Sequence, residues 1–245
     1  MLKNIIYVER LKLKRSKLWL IYVIGSLIGV ALAYTNFFKN YDLFMNPGDN
    51  AWIEAWTQVA LFMGPFVLPI LVGIYAAFVC RGEHIGGGWK QLLALPISYS
   101  AIFVGKFLTI VRMIVITIVI VMVFFIGTGY LTGVEGSLPV FALLGYMVRG
   151  VLACLPLVLL QLIISIRSKT FGIPLAVSIV FTLPAIIVAS TPLGQVYPWT
   201  QPMLAMSPED ESPIQSYVLF YTLLMGTFIA LLLYGLRDFS KRDVI

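Results

Sequence analysis

The sequence predicts an all-α polytopic membrane protein. It has six transmembrane helices, an amphipathic interfacial helix ahead of them, and a short cytoplasmic helix between spans two and three. Three observations carry this expectation. The first is composition: 60% of the 245 residues are apolar, 11% are charged, and mean hydropathy is +0.96. A soluble domain carries about 45–50% apolar and about 25% charged residues, so this chain lacks the polar surface to face water. The second is length: the apolar residues come in runs of about 20, enough for a helix to cross a hydrocarbon layer about 30 Å thick. The third is that basic residues recur on alternate connections between those runs.

Taken in order, residues 1–17 set Leu2, Ile5, Ile6, Leu11 and Leu13 among Lys3, Arg10, Lys12 and Lys14. This pattern fits a helix lying in the headgroup layer with its basic side chains snorkelling, and equally a plain basic anchor. The six spans are 18–38, 57–80, 107–130, 146–166, 172–192 and 216–236. A cleaved leader is the rival reading of the start, since Ala31-Leu32-Ala33 fits a cleavage site. It is disfavoured because the apolar run continues to Phe38. Gly25 and Gly29 form a Gly-x-x-x-Gly pair that permits close helix approach. Pro65, Pro69, Pro156, Pro174 and Pro184 fall inside spans, where each removes a backbone donor.

The first outer connection, 39–56, holds the turn Asn46-Pro47-Gly48-Asp49 and two expected belt residues, Trp52 and Trp56. The last, 193–215, carries Pro198, Pro202, Pro208 and Pro213, with Tyr197 and Trp199. Its first half is apolar. It is read either as short broken helices dipping back among the spans or as an interfacial cap.

Charge sets the orientation. Fourteen of the 17 Lys and Arg fall on one side: the N-terminal segment, the second-to-third and fourth-to-fifth connections, and the tail. The other side holds Lys39 and seven of the 11 acids. The basic side is expected to be cytoplasmic, with both termini there, in the plasma membrane. The basic residues fringe helix ends and form no aromatic-interleaved patch, so nucleic acid is not an expected partner.

Motifs for chemistry are absent. Gly105-Lys106 lacks the earlier glycine and the following Ser or Thr of a phosphate-binding loop. Cys80 and Cys154 have no metal or disulfide spacing, and His84 is the sole histidine. No metal and no cofactor are expected in this chain. No carboxylate lies deep in a span, so the relay of a proton-coupled carrier is not visible. Arg149 is read either as an outer snorkelling residue or as facing a translocation path, and Arg112 as an inner snorkelling one. Gln161 is read as an interhelical hydrogen bonder or a path residue. The chain therefore conducts passively as a channel or carrier, serves as a membrane scaffold, or borrows energy from another subunit.

The connection between spans two and three bears on that choice. Gly86, Gly87 and Gly88 permit a sharp exit, and Pro96 closes a short helix behind them. Trp89, Leu92 and Leu93 share one face of it, with Lys90 and Gln91 opposite. Such a helix is a place for a peripheral motor to dock.

The run Glu83-x3-Gly87-Gly88-Trp89-Lys90-Gln91-Leu92-Leu93-Ala94-Leu95-Pro96-Ile97-Ser98, followed by Gly105-Lys106, resembles the permeases of type-2 ABC exporters. In them a glutamate, a Gly-Thr pair, a Gln-Leu-Leu segment, a Pro-hydrophobic-Ser turn and a Gly-Lys pair occur in this order. Here Gly88 stands where Thr is usual. The basic N-terminal helix, the six spans and the tail from Asp238 to Val244 agree. Pro198-Trp199-x2-Pro202-Met203 resembles the subgroup serving lantibiotic self-immunity and bacitracin-type resistance.

The resemblance implies a paired permease, identical or homologous, above a dimer of separate ABC ATPase subunits that use Mg-ATP. It implies that 83–96 is the coupling element, with Glu83, Gly87, Gly88, Trp89, Lys90, Gln91, Leu92, Leu93 and Pro96 its working residues. Glu83 is expected to cap or salt-bridge the joint with span two. The implied cargo is an amphipathic or peptide compound taken from the bilayer.

Overall fold

The computed structural model describes residues 2–14, 16–214 and 216–241. Arg15, Gln215, Arg242, Asp243 and Val244, which entered the readings above, lie outside the described residues. The described chain is helical throughout. A basic helix, α1 (Leu2–Lys14), leads into α2 (Leu18–Lys39) and a single turn, α3 (Tyr41–Phe44). Next come α4 (Ala51–Phe62) and α5 (Leu68–His84), joined through a π-helical turn over Met63–Val67. The short α6 (Gly88–Leu93) precedes α7 (Tyr99–Thr132) and α8 (Val140–Arg167). The remainder is α9 (Gly172–Thr182), α10 (Ala185–Ala189), α11 (Gln201–Met206) and α12 (Tyr217–Lys241).

Among the described residues, five helices are long and apolar enough to cross a membrane: α2, the 34-residue rod Ala51–His84, α7, α8 and α12. Residues 172–192, expected as the fifth span with Pro184 able to kink it, are not one unbroken helix. The helix stops at Thr182 and resumes only for Ala185–Ala189. Pro184 has no N–H to give and crowds the preceding turn, so the ladder cannot run through it. Eleven residues of α9 reach only about 16 Å.

The second expected span is longer than its apolar run. It begins at Ala51, so Trp52 and Trp56 are helical and fully buried, not belt residues of an outer loop. Trp52, Ala55, Trp56 and Val59 recur at helical spacing along one buried face. The π turn follows from Pro65 and Pro69. Each withholds a backbone donor, and the wider turn absorbs the mismatch.

Small residues set the helix approaches. A Cβ on Gly29 would strike the Met63 side chain, and one on Gly25 would come within 3.0 Å of Leu71. Both glycines of the Gly-x-x-x-Gly pair thus line the seam between α2 and the rod. Polar side chains pin the same bundle internally. Tyr34 Oη donates to Phe125 O at 2.9 Å, and the Tyr75 and Thr117 hydroxyls meet at 2.7 Å.

Helix α1 and the end of α12 lie at one end of the bundle. There α1 packs on α7 through Glu9 and Lys106, and Phe239 of α12 sits against Trp89, Tyr99 and Phe103.

Candidate functional site

The basic end is built around a buried ionic cluster. Glu9 comes from α1, Glu83 from the last turn of α5, and Lys106 from the third turn of α7. Lys106 is 0% exposed, Glu9 3% and Glu83 4%. A lone ammonium in such a place would be prohibitively costly. Its three donors are instead all used: on Glu9 Oε1 at 3.2 Å, Glu83 Oε1 at 2.9 Å and the Val79 carbonyl at 2.9 Å. Lys12 closes the cluster from the half-exposed side, 2.6 Å from Glu83 and 3.1 Å from Glu9. Two carboxylates and two ammonium groups cancel.

The short helix α6 is keyed to this cluster. Gly86 and Gly87 take positive φ, +62° and +75°, which turns the chain abruptly out of α5. A Cβ at Gly88 would lie 2.8 Å from Glu83 Cα and from the Gly82 carbonyl, so α6 folds back onto the end of its own span. The indole of Trp89 then faces inward. It lies under Lys106 Nζ, 5.4 Å from the ring centre, and edge-on to Phe239. Trp89 Nε1 donates to His84 Nδ1 at 3.2 Å, and His84 Nε2 meets the Ser165 carbonyl at 2.8 Å. Since the carbonyl only accepts, Nε2 carries the proton and Nδ1 is left as acceptor. Trp89 thus ties α6 to α5, α7 and α12, and His84 carries the tie on to α8.

The expected coupling residues separate into two groups. Glu83 and Trp89 are buried, and Glu83 makes the salt bridges expected at its joint. Leu92 and Leu93 are half-buried. Gly87, Lys90, Gln91 and Pro96 are exposed, together with Ile85, Ala94 and Leu95. The apolar face of α6 is therefore turned to the bundle, and its polar edge faces outward.

Sequence reading missed Glu9, and it counted Lys106 as a loop cation because the third span was begun at residue 107. The helix in fact starts at Tyr99, with Ser98 Oγ accepting from Ala101 N at 3.3 Å. The visible signal was the Glu9–Lys12 spacing of three, which already implies an acid and a base on one helix face.

The two candidate path residues lie elsewhere. Gln161 is fully buried; its Nε2 donates to Ser178 Oγ at 3.0 Å, which donates to the Pro69 carbonyl at 2.7 Å. That chain links α8, α9 and α5. Arg149 lies about ten residues into α8, because that helix starts at Val140 and not near 146. It reaches Glu209 at 3.4 Å and the Ser207 carbonyl at 3.4 Å, with Tyr146 and Tyr217 beneath its guanidinium.

Arg149 thereby braces the segment that carries α11, at the opposite end of the bundle. Gln201, Pro202, Leu204, Ala205 and Met206 are buried, so α11 is a helix enclosed by protein and not a solvated loop. A Cβ on Gly64 would strike the Met203 backbone, so α11 rests in the notch left by the π turn. Trp56 Nε1 donates to the Met206 carbonyl at 3.0 Å. Irregular backbone at such depth is tolerated where protein satisfies it.

The arrangement holds a short surface helix against the ends of several spans, with no reactive group at its centre. Residues 5–185 match the family described as ABC-2 family transporter protein. The chain belongs to that family. The match covers about three quarters of the sequence and includes α1, the ionic cluster and α6. This ABC-2 protein is a multi-pass membrane permease subunit, and not itself the ATPase of its transporter. The buried α11 and the helix α12 lie beyond the matched residues. No curated protein matches the chain.

Proposed function

We propose that this ABC-2 permease is the membrane half of an ATP-driven exporter. Two permeases, identical or homologous, pair in the plasma membrane, and a dimer of separate ABC ATPases binds beneath with Mg-ATP. The basic end faces the cytoplasm, as the charge asymmetry supports. The observation that carries this reading is the rigid attachment of α6. Trp89 seats α6 against Lys106 and Phe239, and the Glu9–Lys12–Glu83–Lys106 cluster joins the ends of α1, α5 and α7 beside it. A push on α6 therefore moves several helices together.

Within this reading the coupling residues divide their work. Glu83, Gly87, Gly88 and Trp89 hold the element in place, and Leu92 and Leu93 seat it. Ile85, Lys90, Gln91 and Leu95, all exposed, meet the ATPase. Pro96 ends the element. The cargo is an amphipathic or peptide compound that enters sideways from the bilayer, such as an antimicrobial peptide. The Pro198-Trp199-x2-Pro202-Met203 resemblance to the lantibiotic-immunity and bacitracin-resistance subgroup supports that cargo class.

The test is reconstitution. Vesicles holding the permease alone should move nothing uphill until the ATPase and Mg-ATP are added. Lys90→Glu should weaken ATPase copurification while leaving the permease inserted. Uphill movement on a proton gradient alone would promote the secondary-carrier reading. Orientation is checked separately: a cysteine at Asp49 should label from outside intact cells and one at Lys241 should not.

A further inference from the structure

At the basic end a cleft of about 500 Å³ opens between α1, the start of α2 and α7. Three cations line it: Arg10 and Lys14 from α1, and Arg112 from α7. None of the three forms an ion pair among the described residues, and no carboxylate lines the cleft among them. This contrasts with the neighbouring cluster, where each ammonium faces carboxylates.

Arg112 is the informative member. It lies six residues beyond Lys106 on α7, about 9 Å further along the bundle. Arg112 is exposed on the outer surface of α7, and against a bilayer such a guanidinium needs an anion or a route to water. The walls around it are apolar: Leu13, Trp19, Met113 and Ile116. Tyr7 and Tyr22 add phenol hydroxyls at the rim. A cleft with cations and hydroxyls above apolar walls, at the edge of a membrane-spanning bundle, is matched to an amphiphile with an anionic head.

We propose that this cleft is a binding site for an anionic phospholipid, its phosphodiester held by Arg10, Lys14 and Arg112 and its acyl chains lying along α2 and α7. Basic pockets between spans hold such headgroups by this chemistry. A cationic peptide is repelled there, so the cleft is not the entry of the cargo proposed above. The site stands whichever way the chain faces. Its consequence is mechanical: a lipid bridging α1 and α7 holds α1, and with it Glu9, against the coupling cluster.

The probe is phosphatidylglycerol against phosphatidylcholine with the same acyl chains, presented to the purified full chain in detergent. Lipid retained through washing is counted by native mass spectrometry. Phosphatidylglycerol should be retained preferentially. Arg112→Gln and, separately, the exposed Arg10→Gln should each lower retention about fivefold, the value of one surface cation against an anionic lipid. Arg112→Lys should keep most of it, and Lys39→Gln at the other end should change nothing. Arg10 and Arg112 are both exposed and come from different helices, so the two variants test the site independently. Equal retention of the two lipids, or unchanged retention in Arg10→Gln, overturns the proposal. Displacement of phosphatidylglycerol by inorganic phosphate alone assigns the site to a free phosphate and likewise overturns it.

Discussion

The two ends of the bundle are closed by opposite means. At the basic end, Glu9, Glu83 and Lys106 are buried together and paired through Glu9 Oε1 and Glu83 Oε1, with Glu83 Oε2 left without a partner among the described residues, so the joint is held by charge in a low-dielectric setting. At the other end, α11 is held by fit: Gly64 against Met203, and Trp56 donating to the Met206 carbonyl. The ion pair there, Arg149 to Glu209, is long, and the Glu209 side chain is 72% exposed. The contrast teaches where each end tolerates change. A buried charge network fails sharply when one member is lost, because the others are stranded. A packed seam degrades by degrees, because side chains adjust.

The largest effect is expected from Lys106→Met, which leaves the buried Glu9 and Glu83 with only the half-exposed Lys12 between them. Loss of one partner of a buried pair costs about 3–5 kcal/mol, so thermal unfolding in detergent should show a large fall in Tm. Adding Glu9→Gln and Glu83→Gln should recover part of it, since the stranded charges are gone. No recovery would mean that Lys106 matters for packing and not for charge.

Gly64→Val comes next. It inserts carbon where the Met203 backbone already lies, and overpacking of this kind costs about 1–3 kcal/mol. The displaced α11 should become sensitive to protease, while ATPase binding at the far end is unchanged. A smaller effect is expected from Trp56→Phe, which keeps the ring but strands the Met206 carbonyl, at about 1 kcal/mol. The smallest belongs to Glu209→Gln. A surface pair contributes less than about 1 kcal/mol and is screened by salt, so its Tm shift should be slight and vanish at high ionic strength. If Glu209→Gln costs as much as Lys106→Met, the contrast between the ends collapses.

Much of the architecture was readable because it depends on neighbours in the chain. Apolar runs of about 20, glycines at a sharp turn and an acid three residues before a base are all local patterns. The belt assignment of Trp52 and Trp56 failed for a local reason as well. An aromatic pair near a span end looks alike whether lipid headgroups or α11 covers it. Its helical spacing with Ala55 and Val59 pointed to a buried face. The break at Pro184 was foreseeable as a kink, but its depth depended on whether neighbouring helices restored the lost bond, and they do not restore a continuous helix.

Membrane class, charge asymmetry and the glycine-hinged loop thus follow from the chain read in order, because each is a sum or spacing over consecutive residues. The partners of those residues do not. Glu9 meets Lys106 across 97 positions, and Trp56 meets Met206 across 150. Such meetings are set by how helices pack, and a charge or an indole shows its donor capacity in sequence but never its acceptor. That is why Lys106 read as one more cytoplasmic cation, and why only the folded bundle makes it the centre of the buried ionic cluster beside α6.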